Sequence, residues 1–279
     1  AGEFTNQLTA ALPASLAPPP PYGDRQDAFN WQGGCVSYST MVAPAQDPLH
    51  RFSASVKKAL PGSLWRPLRA MATGVLTPLR FARVTGHFRS SLATSAYGAD
   101  GQAIPWYTYP AIDFLAQRDL SACNVLEFGG GQSTIWWSKR ARSVLTIEED
   151  EGWVAGLKPR VGPNATVHHV PVDGPDPIAE IGRLIAAHAH QKFDVVIVDG
   201  HLRRLLVALA FEHLAPMGAV ILDNAEGYGF YEESSKFDCR RVDFFGFAPG
   251  VVMRHCTSLA YVGDCFLLSG KIPIARIEA

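Results

Sequence analysis

Val125 to Thr134 read Val-Leu-Glu-Phe-Gly-Gly-Gly-Gln-Ser-Thr, and the next apolar run ends in Ile147-Glu148-Glu149-Asp150. No other feature of the chain constrains its fold as tightly. An apolar strand that breaks into glycines and then opens a helix leaves bare backbone N–H groups beside a ligand. An acid at the tip of the following strand is placed to accept from ribose hydroxyls. Together they predict a nucleoside-containing cofactor held at the carboxyl edge of a parallel sheet.

The downstream order extends that reading. Ala165–Val170 reads as a third strand closing near Asp173, and Phe193–Gly200 is a continuous apolar run that ends at Asp199. Such a run suits a strand buried on both faces. Ala219–Asn224 is another, closed by Asp223. Helical stretches at Gln132–Arg140, Asp150–Leu157, Asp176–His190 and Leu202–Leu214 separate the strands. This alternation implies βαβ units, hence an α/β fold with a doubly wound, Rossmann-like sheet. The acids at the strand ends lie where open sheets of this kind bind ligands.

The glycine pattern narrows the cofactor. A dinucleotide fingerprint needs glycine at the first, third and sixth positions of its turn. Gly129 and Gly131 satisfy two, but the sixth position is Thr134, which disfavours a nicotinamide oxidoreductase. No Gly-Lys-Ser/Thr string is present to cradle a phosphate. Strand-Glu-x-Gly-x-Gly with an acid closing the next strand instead resembles class I S-adenosylmethionine-dependent methyltransferases. The form Leu-Glu-Phe-Gly-x-Gly-x-Ser-Thr, followed by Ile-Glu-x-Asp-x-x-Trp ending at Trp153, is similar to small bacterial members, several associated with sugar or secondary-metabolite pathways. The resemblance covers about residues 107–268. It implies that Arg240–Phe247 and Ser258–Leu268 are the closing strands, the last inserted antiparallel.

Carried over by motif, the resemblance assigns Glu127, Gly129, Gly131, Gln132 and Ser133 to the methionine end of S-adenosylmethionine. It makes Glu148 the ribose acid in preference to Glu149, and Asp173 the partner of the adenine amino group. Tyr107 or Tyr109 would close over the methionine, and Asp199 borders the same cofactor. Asp199, Asp223 and Asn224 on adjacent strand ends also form an oxygen-rich set suited to Mg²⁺. This is similar to catechol-type O-methyltransferases, in which such residues bind a metal that orients a diol. Those enzymes carry a lysine base after the first Asp; here the run is His201-Leu202-Arg203-Arg204. His201 and Asp199 are therefore the expected catalytic pair, with His201 as base near neutral pH and Arg203 available to an anionic substrate. Glu226, Tyr228 and Tyr231, on a loop after Asn224, are expected to contact the acceptor. The implied reaction is methyl transfer, to a hydroxyl of a small natural product or sugar-type acceptor.

Composition sets the remaining bounds. At 279 residues, with 47% hydrophobic and 18% charged residues and a net charge of −1, the chain reads as a globular protein. No apolar run approaches the ~20 residues of a transmembrane helix, and no basic-then-apolar signal sequence opens it. Cys35, Cys123, Cys239, Cys256 and Cys265 contain no CxxC pair, which argues against a zinc site or disulfide framework and for thiols in a reducing cytoplasm. Residues 1–100 read as an N-terminal extension. Its first ~30 residues, with Pro18–Pro21, are expected to be extended or poorly ordered. Short helices cut by Pro61, Pro67 and Pro78 are expected in 48–95, as a lid over the cofactor domain at 101–279. From Pro48 to Ala99 there is no acid but eight Lys or Arg: Arg51, Lys57, Lys58, Arg66, Arg69, Arg80, Arg83 and Arg89. A solvated basic face explains such a run, and so does contact with an anionic lipid surface, a phosphorylated substrate or an acidic carrier protein. Aromatic residues are sparse there and no nucleic-acid reader motif is present. The rival to catalysis is a non-catalytic cofactor fold that binds an anionic partner through this extension.

Overall fold

The computed structural model describes residues 48–189 and 192–268. The expectations for residues 1–47, Cys35 included, lie outside the described residues. Seven strands form one sheet in the order β3-β2-β1-β4-β5-β7-β6. They are β1 (Asn124–Phe128), β2 (Ser143–Glu148), β3 (Ala165–His169), β4 (Phe193–Val198), β5 (Leu214–Asp223), β6 (Arg240–Phe247) and β7 (Arg254–Tyr261). The first five are mutually parallel. β7 slots between β5 and β6 and runs antiparallel to both, as the family resemblance implied.

Period-two alternation sorts the strand residues between two cores. Val125, Val144, Val195, Ile197 and Ile221 face one side, under α4 (Tyr109–Ala116) and α5 (Gln132–Ser138). Leu126, Leu145, Val196, Val198 and Leu222 face the other, under α7 (Pro177–Ala187) and α8 (Arg203–Glu212). Helices on both faces make the sheet doubly wound. Because β1 pairs with β2 on one side and β4 on the other, the chain reverses its winding between β1 and β4. That gap is the switch point at which open α/β sheets take ligands.

Two expectations are corrected. Pro61 does end a helix, since α1 (Pro48–Ala59) stops before it, but α2 (Gly62–Val84) continues through Pro67 and Pro78. A proline removes one helical N–H and crowds the carbonyl four residues back. In α2 those carbonyls belong to Ser63 and Gly74, both exposed, so water can serve the orphaned groups. The final strand also ends early: β7 closes at Tyr261, and Phe266–Leu268 is a single 3-10 turn. Gly263, at φ 68°, makes the intervening bend in a region that disfavours other residues.

From Phe81 onward the N-terminal segment is knitted into the domain. Phe81 packs edge-on to Tyr109, Ser95 Oγ accepts from Gln132 Nε2 at 2.6 Å, and His87 Nδ1 accepts from Gly250 N at 3.3 Å in α3 (His87–Ala93). Before that, α2 buries no residue. Among the described residues, no helix is long and apolar enough to cross a membrane, and Cys123, Cys239, Cys256 and Cys265 are free thiols.

Candidate cofactor site

The glycine turn joins β1 to α5 at the switch point. Gly129, at φ 90°, is required by the protein's own packing: an added Cβ would sit 2.6 Å from Gly200 N and 2.7 Å from Asp199 C. At Gly130 a Cβ would meet Thr146 Cγ2 at 2.8 Å. Only Gly131 faces open space, with nothing within 4 Å of a Cβ built there. Space beside the turn is thus open at Gly131, whereas Gly129 lets the turn close on the end of β4 and Gly130 lets it close on β2 and Leu157. Hollows flank the turn. One, of about 300 Å³, runs from Gly131 along α6 (Glu151–Leu157) past Asp150, Trp153 and Arg160. A smaller apolar crevice lies at the strand ends between Gly129, Ile147, Glu149, Val170, Val172 and Leu202.

Beneath the turn is Glu127, which is fully buried. Its Oε2 accepts from the Thr134 hydroxyl and from Thr146 Oγ1 at 2.9 Å, while Oε1 has no hydrogen-bond partner. Loss of water raises its pKa to about 7, against the opposing pull of the Ser133, Thr134 and Thr146 hydroxyls. Tyr107, also fully buried, lies beside it and accepts from Trp137 Nε1 at 3.4 Å. Burial, then the charges of Glu127, Asp199 and Asp223, push its phenol well above the usual range. An unmet carboxylate oxygen in a dry site is costly unless a donor is supplied.

Across the gap the expected metal set is brought together, but its centre is filled by the protein. Arg203, at the start of α8, donates from Nη2 to Asp199 Oδ1 at 2.7 Å and from Nη1 to Asn224 Oδ1 at 2.7 Å. It also donates to the backbone oxygens of Asp199, Gly200 and Asp223, each at 2.9 Å. Asp223 Oδ1 accepts instead from Thr257 Oγ1 at 2.8 Å. Burial raises the pKa of both aspartates and Arg203 pulls both back; the Asp199 charge adds to the rise at Asp223, and Glu149 and Glu148 add to that at Asp199. A planar guanidinium fits this fork of oxygens, and a divalent ion would have to displace it against direct charge repulsion. Among the described residues no cluster of three His, Cys, Asp or Glu has metal-binding geometry. The Mg²⁺ expectation at Asp199, Asp223 and Asn224 is thus corrected: the donor set does not fit the ion, because Arg203 supplies the positive charge.

The remaining expected residues scatter. Glu148 is buried and accepts from Gly130 N at 2.5 Å and Asp150 N at 2.9 Å, so it braces the glycine turn at the mouth. Burial raises its pKa. Glu149, on the other side of the strand end from Glu148, lines the apolar crevice and binds the His201 imidazole. His201 itself is 78% exposed and sits at the rim. Ser133 lines the floor beside Glu127, but Gln132 bridges Arg160 Nη2 and Ser95 Oγ and so anchors the N-terminal segment. Asp173 stands on an exposed turn after β3. On the loop after Asn224, Tyr228 faces the site, its ring 4.5 Å from the Arg203 guanidinium. Glu226 is tied to Cys256 N and His255, and Tyr231 packs under Arg241. Thr146 and Thr257 were not singled out in the sequence, and Thr134 was noted only for breaking the dinucleotide pattern, not as a partner of Glu127.

Comparison with known proteins gave no matching family model and no matching curated protein. Solved structures show distant likeness over about half the chain. A precorrin-6y C5,15-methyltransferase from Geobacter metallireducens is 13% identical over 55% of this chain and 87% of its own, with a TM-score of 0.41. A tRNA methyltransferase from Aquifex aeolicus is 13% identical over 57% and 72%, TM-score 0.39. A spermidine synthase with a bound transition-state analogue is 18% identical over 54% and 56%, TM-score 0.39. At this similarity the residues of the site, and not the neighbours, carry the functional reading.

Proposed function

We propose that the chain is an S-adenosylmethionine-dependent methyltransferase acting on a hydroxyl of a small acceptor. The observation that carries the reading is the unmet Oε1 of buried Glu127 beneath the open Gly131, at the switch point of the sheet. Glu127, Asp199 and Asp223 are three buried or half-buried acids against one guanidinium, so the floor favours a positively charged ligand. The donor carries two cationic centres, an ammonium and a sulfonium. When bound, it supplies an activated methyl group and a neutral leaving group.

The chain's own residues bind, orient and move the proton. Glu127 Oε1 accepts from the amino group at the methionine end, with Tyr107 and Ser133 shaping the wall. Glu148, already at the mouth, accepts from the ribose hydroxyls. The planar base lies over the strand ends near Val170, Val172 and Leu202, with Asp173 on the turn beside them. The acceptor approaches from the side of Tyr228, where Arg203 holds one oxygen of Asp199 and the side chain remains 23% exposed. Asp199, its pKa raised by burial, takes the hydroxyl proton, and His201 guards the rim. A well-oriented approach and exclusion of water supply the rest of the catalysis. Asp199→Asn tests the assignment of the base. It should lower turnover by about 10²–10⁴-fold while donor affinity stays within a factor of a few, and unchanged turnover would remove Asp199 from the chemistry.

A further inference from the structure

The helix α2 carries a feature that methyl transfer does not use. Leu64, Leu68, Met71, Val75 and Leu79 recur at intervals of four, three, four and four residues, which puts them on one helical face. All five are exposed, at 58, 47, 71, 60 and 63%. Arg66, Arg69 and Arg80 lie on the opposite arc with Thr73 and Thr77, and Arg83 on its flank. An uncovered apolar stripe of this length is unusual on a soluble surface.

Two further exposed patches adjoin the foot of α2. Phe88 and Leu92 lie one turn apart on α3, 65 and 73% exposed. Ser91 Oγ contacts Gly250 O at 3.5 Å, on the same loop as Val252 and Met253, which are 86 and 65% exposed. Phe81 also packs against Phe247, just before that loop. Apolar groups from three elements therefore gather at one end of the domain.

We propose that α2, with α3 and the 248–253 loop, is an interfacial anchor that lays its apolar stripe into an anionic lipid surface. Charge selects this occupant. From Pro48 to Ala99 there are eight Lys or Arg and no acid. Anionic headgroups would attract that array, and a basic polar face opposite an apolar one is the pattern of a surface-lying helix. At 23 residues α2 is about 34 Å long, yet its arginines keep it from spanning, so it lies on the membrane. This proposal is independent of the methyl-transfer reading.

The test is flotation of the full chain with vesicles of phosphatidylcholine alone or mixed with phosphatidylglycerol. Binding is expected only with the anionic lipid, weakening as salt is raised. Leu68→Glu with Val75→Glu, and separately Arg66→Glu with Arg69→Glu, should each weaken it by about tenfold or more. Because α2 buries no residue, both variants should unfold at the parent temperature, which separates lost binding from lost folding. Absence of binding to anionic vesicles at low salt would overturn the proposal. So would a dimer in sedimentation velocity that Leu68→Glu with Val75→Glu dissolves, because the stripe would then serve a second copy.

Discussion

The two banks of the switch point solve the same electrostatic problem in opposite ways. On the β4–β5 bank, Asp199, Asp223 and Asn224 are met by Arg203 and Thr257, so the protein supplies both cation and donors. On the β1–β2 bank, Glu127 has two hydroxyl donors on one oxygen and none on the other. A bank that is complete without a ligand is built to hold shape. One with a buried, unmet acceptor is built to receive something. In the proposed reading, the donor cofactor lies over β1, and the β4–β5 bank serves structure and the acceptor.

Removing Arg203 should have the largest effect. Arg203→Ala leaves two acids without their counter-charge in a largely dry site, and breaking a buried pair from one side costs about 3–5 kcal/mol. The readout is the unfolding free energy in urea. A loss under about 1 kcal/mol, the size of an exposed pair, would show that this bank is not self-supporting.

On the opposite bank, Glu148→Ala should weaken binding of the methyl donor roughly ten- to hundredfold, from the about 1.5–3 kcal/mol carried by a hydrogen bond to a charged group. Titration calorimetry reads it. An unchanged dissociation constant would shift the ribose role to Glu149.

Glu127 links this contrast to pH. Its pKa is raised from 4.5 to about 7 on folding, so between those values the folded chain binds more protons than the unfolded one. Its contribution to stability is full below 4.5 and is lost as pH rises to about 7. Glu127→Gln removes that loss, so the variant's melting temperature should gain on the parent's across that interval, by a few degrees at most for each kcal/mol recovered. A difference that stays flat with pH would mean that Glu127 is not desolvated. Donor binding works the other way: it needs the carboxylate, so parent affinity should fall as pH drops below about 7.

The smallest effects are expected at the rim and from metal removal. His201 is mostly exposed and bonded to Glu149, so His201→Ala should change stability by less than about 1 kcal/mol and turnover by less than about tenfold. A fall of about 10²–10⁴-fold would restore it as the general base. Excess chelator should leave turnover unchanged, because Arg203 already fills the fork of oxygens.

The fold was readable because its signals are local: each apolar run, glycine turn and terminal acid stands within a few consecutive residues. The reversed last strand came from family resemblance, and its end was misplaced because a single glycine at positive φ cuts it. Within the site, Glu127 and Gly131 were visible in the motif. Their supporting threonines were not, because Thr146 meets Glu127 and Thr257 meets Asp223 only through strand register. The metal set failed for a similar reason. Asp199 and Arg203 are one helical turn apart in number, but the turn at Gly200 decides whether the guanidinium folds back onto the acids. The missing lysine after Asp199 was the one sequence sign that this bank departs from the metal-dependent pattern.

The most direct test of the central claim is calorimetric titration of the full chain with S-adenosylmethionine and S-adenosylhomocysteine at a pH above the Glu127 transition, with NADH as control. The account predicts saturable binding of both adenosyl ligands, lost or strongly weakened in Glu148→Ala, and none of NADH. No binding of either adenosyl ligand at millimolar concentration, or preferential binding of NADH, would contradict it.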